Sequence, residues 1–560
     1  MKSSFLERSI VVGLIMTSIP MTVWGAALNN NTNIPDAGSL LNELEPERHI
    51  NPNPQRPQID VKVPESKQPH QDLTVLVRKV VFDCQELDIN TSLQSVVAGK
   101  LNKELTFEEM QQIALEATEA LRKQGYMTAI VYIPAQDMQN SVLHMKAMIG
   151  HYGDVNIKNK SSMTDERVLG YTYNTRPGRL IKSQNLDKEI LILNDIPGLS
   201  AKAFLAPGKK PGTAAINIEV TDLERQGGAV YVDNHGSKST GKWRYGVNYH
   251  YDNLTKVGDQ IEVNYLSSFA NDMHNYLVRY NLPIGRDGAV AHVGASHMNY
   301  SLGDQWEYLG SVGTANTYEL GVTVPMKRSL FHASTYDVSY RYRTLNDSWG
   351  NYALETNKSS HSINMEVNGY TRSIKDALSY SISHSVGTLG MDNDLAKAWD
   401  TLGTEGGWAK SNATLYHIHS FDKRWNLHTS ASGQYGWDNL DSSESFYVGG
   451  ASGVRAFPSG EAGGNSGLLG TMELRYQTGL PELQLAAFVD GGRVWYNHEP
   501  AAGNAENVRN LAGVGLGVLY NKNRDWYARF DWATPLGSKR SISNGGDVHN
   551  TFWLRVVKQF

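Results

Sequence analysis

The chain has 560 residues, a formal net charge of −5 and an apolar content of 40%. This length exceeds that of one ordinary domain and allows a large closed sheet together with smaller modules. The nearly balanced charge argues against a nucleic-acid partner, and a single cysteine excludes an intrachain disulfide. The mean hydropathy of −0.41 does not exclude a membrane barrel, because lumen-facing polar residues offset lipid-facing apolar residues in the average.

The first 27 residues have the pattern of a signal peptide. Lys2 and Arg8 give a basic start, an apolar run follows, and residues 25–27 are small, as a cleavage site requires. An uncleaved membrane anchor is the weaker alternative, because the apolar run is short and is interrupted by Pro20. We therefore expect residues 1–27 to be removed.

Residues 28–50 are predicted to contain one short helix, the plug helix region. Leu40, Leu41 and Leu44 recur at helical spacing behind an acidic start. Residues 51–72 are rich in proline and polar groups and have no burial pattern, so they are predicted to be a linker that tethers this helix. A disordered N-terminus is the alternative that the sequence leaves open.

Two small α+β modules are predicted next, over residues 73–150 and 151–224. Each is interpreted as strand, helix, helix, strand, strand, and two successive units of similar length form an internal repeat. In the first module, Thr106 and Glu109 form a capping box that predicts the start of a helix, and Gly125 predicts its end.

From residue 225 to the C-terminus, apolar and polar residues alternate with a period of two. In KWRYGVNYHY, for example, Val247 and its alternate neighbours are apolar or aromatic, whereas Arg244 and Asn248 share the opposite face. Seven short turns alternate with eight generally longer connections, which predicts sixteen antiparallel strands with short turns on one side only. A soluble β-sandwich is the alternative, but it does not require this asymmetry. We predict a sixteen-stranded transmembrane β-barrel over residues 225–560.

The longest connection, residues 438–466, contains the segment GGASGVRAFPSGEAGG. Arg455 stands at its centre beside Val454 and Phe457, and bulky apolar groups argue against a mere solvated linker. On the second strand after this loop, Asp490 alternates with apolar residues, which places it on the inward face beside Phe488. An Arg455–Asp490 ion pair in the lumen is the prediction; two unrelated solvated charges are the alternative.

This order of elements resembles the two-partner secretion transporters, the haemolysin secretion/activation family of the outer-membrane insertase superfamily. In that family the small modules are POTRA (polypeptide-transport-associated) domains. A Val-Arg-Gly-Tyr/Phe motif on an inward-folded loop meets the aspartate of a Phe-x-Asp-x-Gly strand motif. The resemblance implies that the corresponding residues of this chain form a latch inside the lumen: Val454, Arg455, Phe457, Phe488, Asp490 and Gly492. Ala456 departs from the usual glycine of the motif.

The resemblance implies an outer-membrane transporter with its POTRA domains in the periplasm. The expected partners are a large, unfolded adhesin-like or haemolysin-like exoprotein with an N-terminal secretion domain, and outer-membrane lipid. Periplasmic chaperones and the barrel-insertion machinery are candidate further partners. An outer-membrane insertase of the same superfamily is the alternative function, and a plain diffusion porin is a third.

Other candidate sites carry little weight. His417 and His419 lie two residues apart and could ligate a metal, but unliganded lumen-facing polar residues are the commoner case. The segment 208–213, GKKPGT, falls between two predicted strands and lacks the spacing of a phosphate-binding loop. No catalytic constellation can be singled out, so we expect no enzyme activity, no cofactor and no bound metal.

Overall fold

The computed structural model describes residues 34–44, 59–61, 74–138, 140–270, 272–500, 506–522, 525–538, 540–543 and 546–560. The predicted signal peptide and most of the predicted linker lie outside these ranges. Among the described residues, no helix is long and apolar enough to cross a membrane. The predicted N-terminal helix is present as α1, Ala37–Leu44.

The first module has a three-stranded sheet packed against one long helix. Its strands and helices are β2 Thr74–Val77, β3 Lys79–Asp83, α2 Asn90–Leu93, β4 Lys103–Thr106, α3 Phe107–Lys123, β5 Ile130–Tyr132 and β6 Val142–Met148. The predicted capping box is formed at α3, because Thr106 accepts from the backbone of Glu109 and Glu109 accepts from the backbone of Thr106.

One strand prediction in this module was wrong in detail. The run 73–82, expected to be one strand, is divided at Arg78, whose backbone N–H donates to Ser141. The segment before it, β2, pairs antiparallel with β4, whereas β3 pairs parallel with β6. The sheet order is β3-β6-β5, so β5 lies at its edge.

The second module has the predicted order strand, helix, helix, strand, strand. Its elements are β7 His151–Lys160, α4 Asp165–Tyr171, α5 Ser183–Asp195, β8 Leu199–Pro207 and β9 Thr213–Asp222. A short strand from the predicted linker, β1 Ile59–Val61, adds to this sheet in parallel with β8. The resulting sheet order is β1-β8-β9-β7. The chain therefore covers the β8 edge with its own linker.

Sixteen antiparallel strands form the predicted closed barrel, and the last strand pairs with the first. They are β10 Gln226–Asp233, β11 Arg244–Asp252, β12 Gln260–Ser268, β13 Met273–Ile284, β14 Ala289–Ser301, β15 Ser311–Arg328, β16 His332–Trp349, β17 Leu354–Arg372, β18 Asp376–Met391, β19 Gly406–Ser420, β20 Trp425–Gly436, β23 Ser466–Gln477, β24 Leu483–Trp495, β25 Val508–Lys522, β26 Trp526–Pro535 and β29 Thr551–Gln559. The connections also contain α6 Asp394–Trp399 and the short pairs β21 Phe446–Tyr447 with β22 Gly463–Gly464, and β27 Arg540–Ser541 with β28 Gly546–Asp547.

The two faces of the barrel wall differ as the alternation predicts. On β16, Tyr336, Val338 and Tyr340 point outward and are exposed, whereas Asp337 and Ser339 point inward and are buried. Exposed aromatic side chains also concentrate near both rims, for example Trp243 and Trp425. An apolar outer band between aromatic girdles is the pattern of a barrel that spans a membrane.

The second module sits against the barrel end that carries the short turns, which we call the module side; the opposite end is the far side. Arg328, at the end of β15, binds both carboxylate oxygens of Asp195 at 2.6 Å. Asn253, in the first short turn, donates to Ser162. Strand β15 continues through a bulge between Pro325 and Lys327 to Arg328, which places this arginine at the module side.

Candidate functional site

The loop between β20 and β23 folds back into the barrel, as the sequence predicts. Val454 and Phe457 are almost fully buried, at 0% and 1% exposure, in a cluster with Val448 and with Phe488 of the wall. Burial of a large aromatic side chain contributes about 1.5–3 kcal/mol, which offsets part of the cost of ordering a glycine-rich segment. The loop tip is therefore a packed structure.

Arg455 meets Asp490 in a bidentate ion pair. Its Nε and Nη2 atoms donate to the two carboxylate oxygens of Asp490 at 2.9 and 2.8 Å, and its backbone N–H adds a third bond at 3.1 Å. The guanidinium carbon lies 3.2 Å from the centroid of the Phe488 ring. Three hydrogen bonds and a cation–π contact give one fixed geometry to two groups that are almost fully buried.

The sequence did not single out the other charges around this pair. Nη1 of Arg455 donates to Glu473 at 2.7 Å and lies 3.7 Å from Asp531. Arg475 and Arg529 also bind Glu473, each at 2.6 Å. Glu473 and Arg475 lie on the inward face that the alternation predicts, and Arg529 and Asp531 alternate in the same way on β26. That alternation shows which residues face the lumen, but only the closed barrel brings them together.

Small residues allow the loop tip to approach the wall. A Cβ on Gly492 would lie 2.8 Å from the Cβ of Val448. A Cβ on Gly513 would lie 2.5 Å from the methyl carbon of Ala456. The φ angle of Ala456 is not positive, so the backbone at this position does not require the glycine that the motif usually has. The loop also bonds to β29, where Trp553 donates to the carbonyl of Arg455 at 2.7 Å.

Helix α1 lies inside the lumen, against the part of the wall that is opposite the Arg455–Asp490 pair. Leu40 and Leu41, two of the three leucines predicted to form its apolar face, are buried at 1% and 6% exposure, and Leu44 packs against the same cluster. That cluster is made by inward side chains of the wall: Leu266, Met273, Met298, Tyr300, Ala315 and Leu345. The three leucines therefore pack against the barrel wall and not against the Arg455–Asp490 pair.

Polar contacts fix the N-terminal end of α1. The first helical N–H, of Ala37, donates to Asp347 at 2.8 Å, and Asp36 accepts from Ser39 and from Ser442 of the inward loop. A Cβ on Gly38 would lie 2.6 Å from the backbone nitrogen of Ser443. Helix and loop therefore contact each other directly inside the barrel.

His417 and His419 do not point into the lumen. They share the outward face of β19 with exposed Leu415, near the module side, and both contact Asp376 at 3.2 and 2.7 Å. Within the described residues, no group of three or more His, Cys, Asp or Glu side chains is arranged to hold a metal ion. The expectation that His417 and His419 face the lumen was wrong, because the register of β18 and β19 puts both side chains on the outer face.

Comparison with known families identifies both parts of the chain. Residues 212–520 match the model of the haemolysin secretion/activation protein ShlB/FhaC/HecB, and residues 75–150 match the ShlB-type POTRA domain. The first match covers more than half of the chain. The chain belongs to the ShlB/FhaC/HecB haemolysin secretion/activation family.

Individual relatives agree with this assignment. The heme/hemopexin transporter protein HuxB of Haemophilus influenzae is 27% identical over 546 residues, covering 94% of this chain and 95% of the relative. The outer membrane transporter CdiB of Dickeya dadantii is 24% identical over 461 residues, covering 79% of each chain. The protein is thus an outer-membrane transporter of a partner exoprotein, with its POTRA domains in the periplasm. The module side is periplasmic and the far side is extracellular.

Solved structures share the fold. CdiB from Escherichia coli superposes with a TM-score of 0.69 at 19% identity, covering 90% of this chain and 94% of that chain. BamA from Haemophilus ducreyi lacking POTRA domains 1–3 gives a TM-score of 0.51 at 13% identity, covering 87% and 100%. The second likeness shows a shared fold alone and does not favour the alternative insertase function.

Proposed function

We propose that this transporter captures its unfolded exoprotein at the β5 edge of the first POTRA domain, and that α1 and the latched loop obstruct the lumen until cargo is engaged. The observation that carries the proposal is the pairing of β1 with β8. The chain's own linker covers the β8 edge of the second POTRA domain, whereas β3, β5 and β7 are uncovered sheet edges among the described strands. Of these three, β5 is the edge that carries large exposed apolar side chains.

The β5 edge has the properties that strand addition needs. An extended chain can bond to unpaired backbone groups whatever its side chains, and apolar groups beside the edge add affinity. Ile130, Tyr132 and the neighbouring Met148 are large apolar residues with 43%, 45% and 42% exposure. An unfolded exoprotein with an N-terminal secretion domain suits this surface.

The β1–β8 pairing also supports a link between capture and the lumen. The strand β1 follows α1 in the chain, so cargo that takes the place of β1 on β8 would act directly on the tether of α1. We propose that capture begins at β5, extends to β8 and thereby draws α1 from the barrel. Folding of the exoprotein outside then drives export, without a catalytic step.

Outer-membrane lipid, periplasmic chaperones and the barrel-insertion machinery are the other proposed partners. The exposed apolar band of the barrel fits outer-membrane lipid. Periplasmic chaperones would keep the exoprotein unfolded before capture, and the barrel-insertion machinery would place this barrel in the membrane.

The capture step is tested by replacing both Ile130 and Tyr132 with Asp. We expect secretion of the exoprotein to fall strongly while the folded barrel stays inserted, measured by immunoblots of medium and outer membrane. The matched control is Leu115→Asp, which changes an apolar side chain of the same domain that is 59% exposed on α3. Equal secretion by the two variants would remove β5 as the capture edge.

A further inference from the structure

A second buried charge holds the inward loop at its returning end. Glu461 lies six positions after Arg455 in the loop and is 0% exposed. Its carboxylate does not contact Asp490 or Glu473. It faces the extracellular segment 540–543 and Arg509 of β25 instead.

Glu461 accepts more bonds than a neutral side chain could. Its Oε2 atom accepts from the Ser541 hydroxyl at 2.7 Å, the Ser543 backbone at 3.0 Å and the Ser543 hydroxyl at 2.5 Å. Its Oε1 atom accepts from the Ile542 backbone at 2.9 Å and from the guanidinium of Arg509. The Ile542 N–H and the Arg509 guanidinium can only donate, so an amide nitrogen in place of Oε1 would face donors only. In place of Oε2 it would face the Ser543 N–H, although the two serine hydroxyls there could turn to accept.

The same group connects three parts of the extracellular end of the barrel. Arg509 also donates to the carbonyl of Arg540 at 2.9 Å, which ties β25 to the hairpin β27–β28. The backbone carbonyl of Glu461 accepts from Gly449 at 3.0 Å, which closes the two limbs of the loop on each other. Val548, just after this hairpin, packs on the cluster that contains Val454 and Phe457. The loop is therefore held at two points, the latch in the lumen and Glu461 at the rim.

We infer that Glu461 is a positioning residue for Arg455: it fixes the returning limb of the loop to the extracellular hairpin and so holds Arg455 at the latch. This inference rests on the proposed role of the latch in obstructing the lumen. Its physical basis is that the two anchors are separated by a short segment. When the bonds of Glu461 are broken, this segment can move. The bidentate geometry between Arg455 and Asp490 is then lost for part of the time.

The test measures single-channel conductance of the full-length protein in planar lipid bilayers. We expect Glu461→Gln to raise the ratio of high-conductance to resting states about tenfold or more, because Arg509 loses its charged partner and one backbone N–H that Glu461 bonds is left without an acceptor. Ser543→Ala, which removes one hydroxyl donor, should give a smaller change in the same direction. Glu307→Gln, an exposed acid in another extracellular connection, is the matched control and should leave conductance unchanged.

A reversible cross-link separates positioning from folding. The variant Glu461→Cys/Ser541→Cys, with Cys84→Ser so that no other thiol remains, is joined after folding by a short methanethiosulfonate cross-linker of about the lost side-chain length. We expect the cross-linked channel to return to wild-type conductance and to lose it again when reductant is added to the same channel. Folding of every variant is checked by heat-modifiable migration on gels.

Two results would overturn the inference. They are wild-type conductance of Glu461→Gln, and a cross-linked channel that behaves like its reduced form. If Arg455→Ala is also silent in conductance and secretion, the proposed latch itself fails. If Arg455→Ala changes them and Glu461→Gln does not, only the role of Glu461 fails.

Discussion

In the proposed mechanism, Arg455 is the residue on which the obstruction of the lumen depends most directly. It lies among three carboxylates and two further arginines, so the cluster of six groups is electrically balanced. A buried ion pair contributes little net stability compared with apolar residues of the same shape, but removal of one partner is costly because the other charge is left unpaired. The latch therefore favours one position of the loop over others.

Arg455→Ala should destabilise this arrangement by about 3–5 kcal/mol, because the buried carboxylate of Asp490 loses its two side-chain hydrogen bonds and the opposite charge, and keeps only the bond from the backbone N–H. We expect a large fall in exoprotein secretion and a changed conductance. Arg493→Ala, on the same strand as Asp490 but exposed, is the control. Normal secretion and conductance in Arg455→Ala would exclude the latch from the mechanism.

A second residue-scale prediction concerns Glu189 of the second POTRA domain. Its buried carboxylate accepts from the Asn174 backbone and the Thr175 hydroxyl, and desolvation raises its pKa above the ordinary value of 4.5 despite these bonds. Because the folded-state pKa is raised, the contribution favours the fold below the unfolded-state pKa and is lost as pH rises through the folded-state pKa.

Glu189→Gln should remove this pH dependence. We expect the free energy of opening of the domain to fall less between pH 4 and pH 7 in the variant than in the wild type, because the amide does not ionise. Hydrogen exchange of α5 amides in the full-length protein in detergent measures it. An identical pH slope in both proteins would contradict the assignment.

At the scale of elements, α1 and the inward loop stabilise each other. Gly38 packs directly on Ser442 and Ser443, and Asp36 accepts from the Ser442 hydroxyl at 2.6 Å. The sequence predicts the helix and its apolar face from the spacing of three leucines. It does not predict that a glycine on the helix meets the loop, because that contact joins segments separated by about 400 positions.

Gly38→Val should loosen α1 from the lumen, because a Cβ at this position already falls 2.6 Å from the Ser443 backbone nitrogen. We expect a higher frequency of open-channel events in planar bilayers, with the barrel still folded. Asn42→Val is the control on the same helix and tests whether any branched residue has this effect. Equal open-channel frequency in wild type and Gly38→Val would show that the close contact does not hold the helix.

At the scale of the whole molecule, the outer band and the wet lumen decide where the protein resides. Val322 and Met326 both point outward from β15, the first within the apolar band and the second near the periplasmic rim. A charge on the lipid face costs most at the middle of the bilayer and little near the interface.

Val322→Arg should therefore destabilise the inserted barrel by about 2–4 kcal/mol, whereas Met326→Arg should cost about 0–1 kcal/mol. Urea unfolding in phospholipid vesicles measures both, and Val322→Ala corrects for the lost side-chain packing. Equal costs at the two depths would contradict the assignment of the outer face to lipid.

The sequence by itself determined the periodic features of this protein. The count of turns and longer connections predicted the sixteen strands, and alternation predicted the inward and outward faces of strands such as β16. The capping box at Thr106 predicted the start of α3, and leucine spacing predicted α1. Such features depend on neighbours along the chain, so one-dimensional patterns are enough to predict them.

Only the tertiary structure decided which distant groups meet. Barrel closure gathers Glu473 and Asp531 around Arg455, and register turns His417 and His419 outward toward Asp376. It also places β1 on the β8 edge and Glu461 against the paired strands β27 and β28. Each of these contacts depends on the closed path of the chain in space, and local sequence patterns carry no information about that path.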